Sequence, residues 1–503
     1  MPQKDKKVKK NIVSFIVQQV VMITLGFLLP RLYLENFGSE VNGILSTIKQ
    51  IFTYMTLFEA GIGLAATTAL HGLFHPEGYS KIGPIFSAAA KRYRQSGVAY
   101  AGVVLVIASV YAFVIPTSIS PSVLFFLVIL NALPTVFSFF VQAKYRLLLE
   151  GEGQRDIITN SETVLQLVSN GGKILVLLLS DSLLLIQLVY CVLSLLQLAF
   201  VYIYAKRKYA YLQLKAEPDK EVLANSKGVL IHKISGMVFS NTDVLLLSFL
   251  CDFAVVSVYT IYNIFFSQVQ TFIVGITDAF RHKLGALYKE DDRQPFLRVY
   301  DVYETMYIMA TFVVYTLMAV FLLPLIQLYT QGINDANYTN VWLVFLFVMM
   351  NLLANGKLPS NHVLEISKQF NETVSHAIWE MVINIAVSVL AILKWGISGA
   401  IVGTIVALLY RGTMMIYHAN KKVLGRSMWH TYKHWVVNGA VFALVMALFF
   451  VDHFSGLSFG ALLVQGILHS LWIVPLYIIV NAVCFKTTFV TAWKLWRENH
   501  GNS

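Results

Sequence analysis

Positive charge returns along this chain at intervals of two apolar stretches. Of its 38 Lys and Arg residues, 33 fall into eight clusters, at 4–10, 81–94, 144–155, 206–227, 281–298, 357–368, 411–433 and 486–497, and two hydrophobic stretches separate each neighbouring pair. Loops retained in the cytoplasm are enriched in Lys and Arg. Seven intervals of two crossings therefore predict an all-α integral membrane protein of about fourteen transmembrane helices, with both termini on the cytoplasmic side of the cell membrane. Only Arg31, Lys49, Lys173, Lys233 and Lys394 lie outside the clusters.

Composition agrees, since 57% hydrophobic and 13% charged residues exclude a soluble protein of this length. The net charge of +11 is explained by basic loops beside an anionic inner leaflet, so the expected partner is the lipid bilayer and not nucleic acid. Residues 11–34 continue through Pro30 and Arg31 without a small-residue cleavage site, so the first helix is expected to be retained. Cys191, Cys251 and Cys484 have no metal-ligand spacing. No phosphate-binding loop, zinc-protease motif or nucleophile elbow is present, and "GEGQ" at 151–154 lacks the context of a nucleotide loop. The expectation is a protein without catalysis, metal or cofactor.

A crossing needs about 20 apolar residues. The predicted spans are 11–34, 41–71, 97–117, 121–149, 157–180, 182–205, 229–250, 253–280, 301–329, 338–364, 371–394, 396–418, 433–451 and 457–485. The outer loops between them are short and acidic, with only 31–40 and 330–337 somewhat longer. The polar stretch 207–228 separates an N-terminal lobe (1–206) from a C-terminal lobe (229–420), and 421–503 adds two helices and a cytoplasmic tail. "FGSEVNGILSTIKQIF" (37–52) faintly echoes "CDFAVVSVYTIYNIFF" (251–266), as two parallel repeats would.

Ionisable groups inside a membrane are costly unless paired or facing water. Arg31, expected at the outer end of the first helix, Lys49, about 12 Å into the second, and Lys173 at a comparable depth in the fifth are read as one cationic cavity for an anionic ligand. Ser46, Lys49, Thr53, Thr56 and Thr67 share a helix face, which makes Thr53 and Thr56 polar pathway residues. The competing reading lets the lysines snorkel or pair with Glu35, Glu40 or Asp181. Lys233, beside His232, and Lys394, beside Trp395, are read as interface anchors. Asp243, flanked by Asn241 and Thr242, suits a counter-ion or a cation-coupling site, and Glu380, one turn before Asn384, is a second acid at mid-depth. Glu59, Glu162, Asp278 and Glu304 suit either a gate of ion pairs or simple structural pairing. Asn263 and Asn355 extend the polar pathway, and "NGKLP" (355–359) should interrupt the tenth span or end it.

Four segments carry a family resemblance: "NIVSFIVQQVVMITLGFLLPRLYLENFGSEVNGILSTIKQI" (11–51), "FEAGIGLAATTAL" (58–70), "AKRYR" (90–94), and "SNTDVLLLSF" with "VSVYTIYN" (240–263). The chain resembles the polysaccharide transporter (Wzx-like flippase) branch of the multidrug/oligosaccharidyl-lipid/polysaccharide exporter superfamily. The resemblance implies two pseudo-symmetric six-helix lobes in a V shape plus two C-terminal helices. It implies alternating access for an undecaprenyl-pyrophosphate-linked oligosaccharide, with coupling to a Na+ or H+ gradient or the membrane potential. A polysaccharide polymerase and glycosyltransferases are the partners it suggests. A lipid II flippase, a cation-coupled drug exporter and a membrane-embedded polymerase or ligase are the alternatives. An exporter of cations should line its site with acids, and a polymerase or ligase should carry a large outer loop.

Overall fold

The computed structural model describes residues 2–214, 216–219, 227–289, 292–449, 456 and 458–500. Every regular element among them is helical. The chain divides into two compact units, Met1–Ile234 and Ser235–Ser503.

The first unit opens with α1 (Pro2–Met55), which covers the first predicted span and most of the second. The expected outer loop at 31–40 is absent, because helix continues to Gly38 and resumes directly after it. Gly38 makes the corner alone, at φ 78°, a conformation that costs a residue with a side chain but not glycine. Pro30 lies inside the helix rather than ending it, so Arg31 sits seven residues before the corner. Glu40, just past the corner, accepts hydrogen bonds from the backbone and hydroxyl of Ser118 and ties the turn to the next outer loop. Thr56 then breaks the second span, and α2 (Leu57–Leu70) completes it.

The unit continues through α3 (Tyr79–Phe113), α4 (Pro121–Phe140), α5 (Ala143–Gly151), α6 (Arg155–Leu179) and α7 (Leu183–Lys208). Its core gathers Tyr93, Tyr100, Phe139, Leu148 and Tyr209. Beyond α7 the linker docks back on the unit: Ser87 donates to the Leu214 carbonyl, and Lys208 and Tyr209 both reach Glu152.

The second unit takes in most of α8 (Lys227–Leu250), then α9 (Phe253–Tyr288) and α10 (Arg293–Tyr329). The tenth span is interrupted at Lys357, between α11 (Val341–Gly356) and α12 (Leu358–Ile366). Next come a 3-10 turn (Phe370–Thr373), α13 (Val374–Trp395), α14 (Ile397–His418) and a π-helical turn (Ala419–Leu424). The last elements are α15 (Trp429–Phe449), α16 (Phe459–Cys484) and α17 (Lys486–His500). Ten of the described helical spans are long and apolar enough to cross a membrane, and the protein is a multi-pass membrane protein.

Helices α13 and α14 meet backbone to backbone. Gly399 and Gly403 form a small-xxx-small pair on α14, the pattern that lets membrane helices approach closely. A Cβ on Gly403 would stand 2.1 Å from the Ser388 hydroxyl and 2.6 Å from its backbone nitrogen. Gly403→Ala should therefore force the helices apart, an overpacking cost of about 1–3 kcal/mol. A lowered melting temperature in detergent is the expected readout. Gly412→Ala, where a Cβ meets nothing within 4 Å, should melt like the parent.

Candidate functional site

The ionisable groups expected inside the membrane fall into two sets, one in each unit. In the first unit, Arg31 is neutralised one turn along its own helix by Glu35, at 2.6 Å. Lys49 lies eleven residues beyond Gly38, about 16 Å along the helix at 1.5 Å per residue. It is deeper than expected because the corner precedes residue 41. Lys173 lies six residues before the end of α6, about 9 Å in, with its ammonium 4.3 Å from the Tyr190 ring centre. Helices α1 and α6, which carry Lys49 and Lys173, pack together. The structure thus brings Lys49 and Lys173 together and gives Arg31 a carboxylate of its own.

The other polar residues of this unit are mostly spent on structure. Thr53 donates to the Lys49 carbonyl and Thr56 to the Thr53 carbonyl, so these hydroxyls bond their own backbone around the helix break. Glu59 accepts from the Tyr93 hydroxyl at 3.5 Å. Glu162 and Glu150 share Arg146, at 2.8 and 3.0 Å. Three buried donors, Gln50 Nε2, Gln187 Nε2 and Ser194 Oγ, have no hydrogen-bond partner among the described residues.

In the second unit Asp243 is 5% exposed on α8. Its Oδ2 accepts from the hydroxyls of Tyr259 and Thr404, both at 2.9 Å, and Asn384 donates to Thr404 at 2.9 Å. The close approach of α13 and α14 makes this chain, since it sets Asn384 beside Thr404. Two acceptors on it, Asp243 Oδ1 and Asn384 Oδ1, have no hydrogen-bond partner among the described residues. A buried carboxylate left half-satisfied is costly, and two spare oxygens beside hydroxyls are the donor set of a hard monovalent cation or a proton. The hydrogen-bonding partners of Asp243 are hydroxyls rather than cations.

Glu380 has a different setting. Its carboxylate meets Lys357 Nζ at 2.7 Å and Arg411 Nε at 3.5 Å, and Arg411 also donates to the Thr373 carbonyl. Lys357 and Arg411, assigned by sequence to cytoplasmic clusters, are instead largely buried partners of this acid. Each stands at the edge of its cluster, where linear distance to the next basic residue carries no depth information. The signal that would have found them is Glu380 itself, a mid-depth acid that needs a cation. Asn355 donates to Tyr315 and to the Asn351 carbonyl, and Asn241 to the Met237 carbonyl. Asn263 is uncovered on α9, and Lys394 lies over the Trp395 ring. The side chains of Asp278 and Lys233 lie outside the described residues.

The fold is that of transporters of the MOP superfamily. The lipid II flippase MurJ in its inward closed conformation superposes with a TM-score of 0.66 at 12% identity, covering 95% of this chain and 99% of its own. An inward-facing multidrug resistance MATE family transporter gives 0.60 at 15% identity, covering 82% of this chain and 99% of its own. A MOP superfamily transporter from Pyrococcus furiosus, described by the reversed polarity of its binding pocket, gives 0.52 at 14% identity, covering 82% and 97%. No family sequence model and no curated protein matches the chain.

The triad of Lys357, Arg411 and Glu380 carries one positive charge more than it can pair. Lys357→Met should therefore be mild, because Glu380 keeps Arg411. Glu380→Gln strands two buried cations and should cost about 3–5 kcal/mol. Melting temperatures in detergent should fall clearly for the second variant and little for the first.

Proposed function

We propose that this protein is a flippase that moves an undecaprenyl-pyrophosphate-linked oligosaccharide from the inner to the outer leaflet of the bacterial cytoplasmic membrane by alternating access. The observation that carries the reading is the pair Lys49 and Lys173, two cations placed on packed helices. A bound anion of two or more charges would attract both, and a pyrophosphate is such an anion. The unused donors Gln50, Gln187 and Ser194 in the same unit favour the same sign of ligand. A cation exporter would want the opposite lining.

A second reading, a flippase for lipid II itself, is favoured by the MurJ superposition, which spans 95% of this chain. Both readings share the pyrophosphate and differ in the sugar. Asp243 with Thr404, Tyr259 and Asn384 is proposed to couple transport to a Na+ or H+ gradient.

Reconstituted protein should flip a fluorescent undecaprenyl-pyrophosphate oligosaccharide in liposomes. Lys49→Ala with Lys173→Ala should abolish flipping while the protein still inserts, and undiminished flipping would overturn the cationic site. Lipid II as the preferred substrate in the same liposomes would select the second reading. Asp243→Asn should flip at a rate indifferent to an imposed Na+ or proton gradient. A gradient response that survives this substitution removes the coupling role and leaves the lysines untouched.

A further inference from the structure

We propose that Glu304 on α10 and His430 and His434 on α15 form a transition-metal site that takes Zn2+ and fastens α15 to α10. The two histidines stand one turn apart on one helix face, and α15 packs on α10 so that Glu304 meets them. One potential ligand atom from each of the three lies within 4.8 Å of the others. Glu304 is 0% and His434 2% exposed, and His434 Nδ1 has no hydrogen-bond partner among the described residues. A buried imidazole nitrogen with nothing to bond is costly, and a metal ion is one of the few groups that satisfies it in a dry setting.

Two carboxylates lie beside the histidines. Glu304 accepts from Tyr300, Thr431 and Arg426. Asp301, one turn earlier on α10, also pairs with Arg426, and its Oδ1 lies 3.7 Å from His430 Nε2. The cations near them are Arg426 and Lys433, whose ammonium lies over the Phe485 ring. Imidazole and carboxylate together select Zn2+ over Mg2+ or Ca2+, which prefer oxygen alone. Zinc–ligand distances of about 2.0–2.2 Å place tetrahedral ligands about 3.4 Å apart, so atoms within 4.8 Å of one another need to close in by up to about 1.4 Å. His430 is exposed, its Nε2 beside Asp301. His434 packs against Phe485, ring centres 4.0 Å apart and planes tilted by 34°. Arg426, Thr431 and Tyr300 orient the carboxylate as outer partners of a metal ligand do.

The test uses the full-length protein in nanodiscs after chelation. Titration with ZnCl2 should show one saturable site per chain and a raised melting temperature, with no effect of MgCl2. His430→Ala should weaken binding by at least about tenfold and remove the zinc-dependent melting shift, while its metal-free melting stays at the parent value. Co2+ in place of Zn2+ should give the ligand-field absorption of a tetrahedral site in the parent and not in the variant, a readout independent of the variant's stability. Binding of equal affinity in the parent and His430→Ala, or no saturable binding in the parent, overturns the proposal.

Discussion

The cost of a charge in hydrocarbon governs this structure more than any other single term. An isolated buried ion is penalised by several kcal/mol even after relaxation, so each buried cation must find a partner or face a wet cavity. The second unit follows the first option throughout. Lys357 and Arg411 close on Glu380, and Arg426 closes on Asp301 and Glu304. These contacts sit where the helices are least regular, at the break between α11 and α12 and just beyond the π-helical turn. Irregular backbone at membrane depth needs polar company, and the ion pairs supply it.

The first unit leaves its lysines differently provided for. Lys173 has a tyrosine ring, an attraction of about 0.5–2 kcal/mol, and its helix packs on the one that carries Lys49. The spare hydrogen-bonding capacity of the two units differs in the same sense. Among the described residues, Gln50, Gln187 and Ser194 hold unused donors in the first, while Asp243, Asn384 and Asn355 hold unused acceptors in the second, alongside Trp435 Nε1 and the ring nitrogens of His418 and His434. Donors and ammonium groups ask for an anion, whereas carboxylate and amide oxygens ask for a cation. Such a division of sign is what a protein needs in order to bind an anionic cargo and a driving cation at separate places.

How much of this was legible in the sequence follows from which signals are linear. The succession of apolar helices was readable because each apolar stretch, and the loop that ends it, is contiguous in sequence. The interruption of the tenth span at Lys357 was visible in "NGKLP", since glycine and proline act locally. The corner at Gly38 was not, because one residue with positive φ replaces a whole loop and leaves Arg31 inside a helix with Glu35 one turn away. The pairing of Lys357 and Arg411 with Glu380 was not visible, because cluster membership is counted along the chain, whereas partners are set by which helices pack together. The partners of Asp243 come from α9 and α14, with Asn384 on α13 one hydrogen bond further out. No spacing rule connects residues 243 and 404. The clue nearest to that contact was the Gly399 and Gly403 pair, which announces close packing without naming the neighbour.

Separate sites for an anion and a cation carry a thermodynamic obligation. If cation binding at Asp243 raises the affinity of the Lys49 and Lys173 site for its cargo, cargo binding must raise cation affinity by the same factor. Couplings of this kind typically amount to about 1–3 kcal/mol, comparable with what a half-satisfied buried carboxylate costs. On the proposed coupling role, Asp243 Oδ1 and Asn384 Oδ1 are more than a local defect in packing. The cost of leaving them unbonded would then be a free-energy difference between cation-bound and cation-free states. A transporter draws on such a difference to favour one direction of travel, and a fully satisfied hydrogen-bond network at the same place would leave nothing for a gradient to act upon.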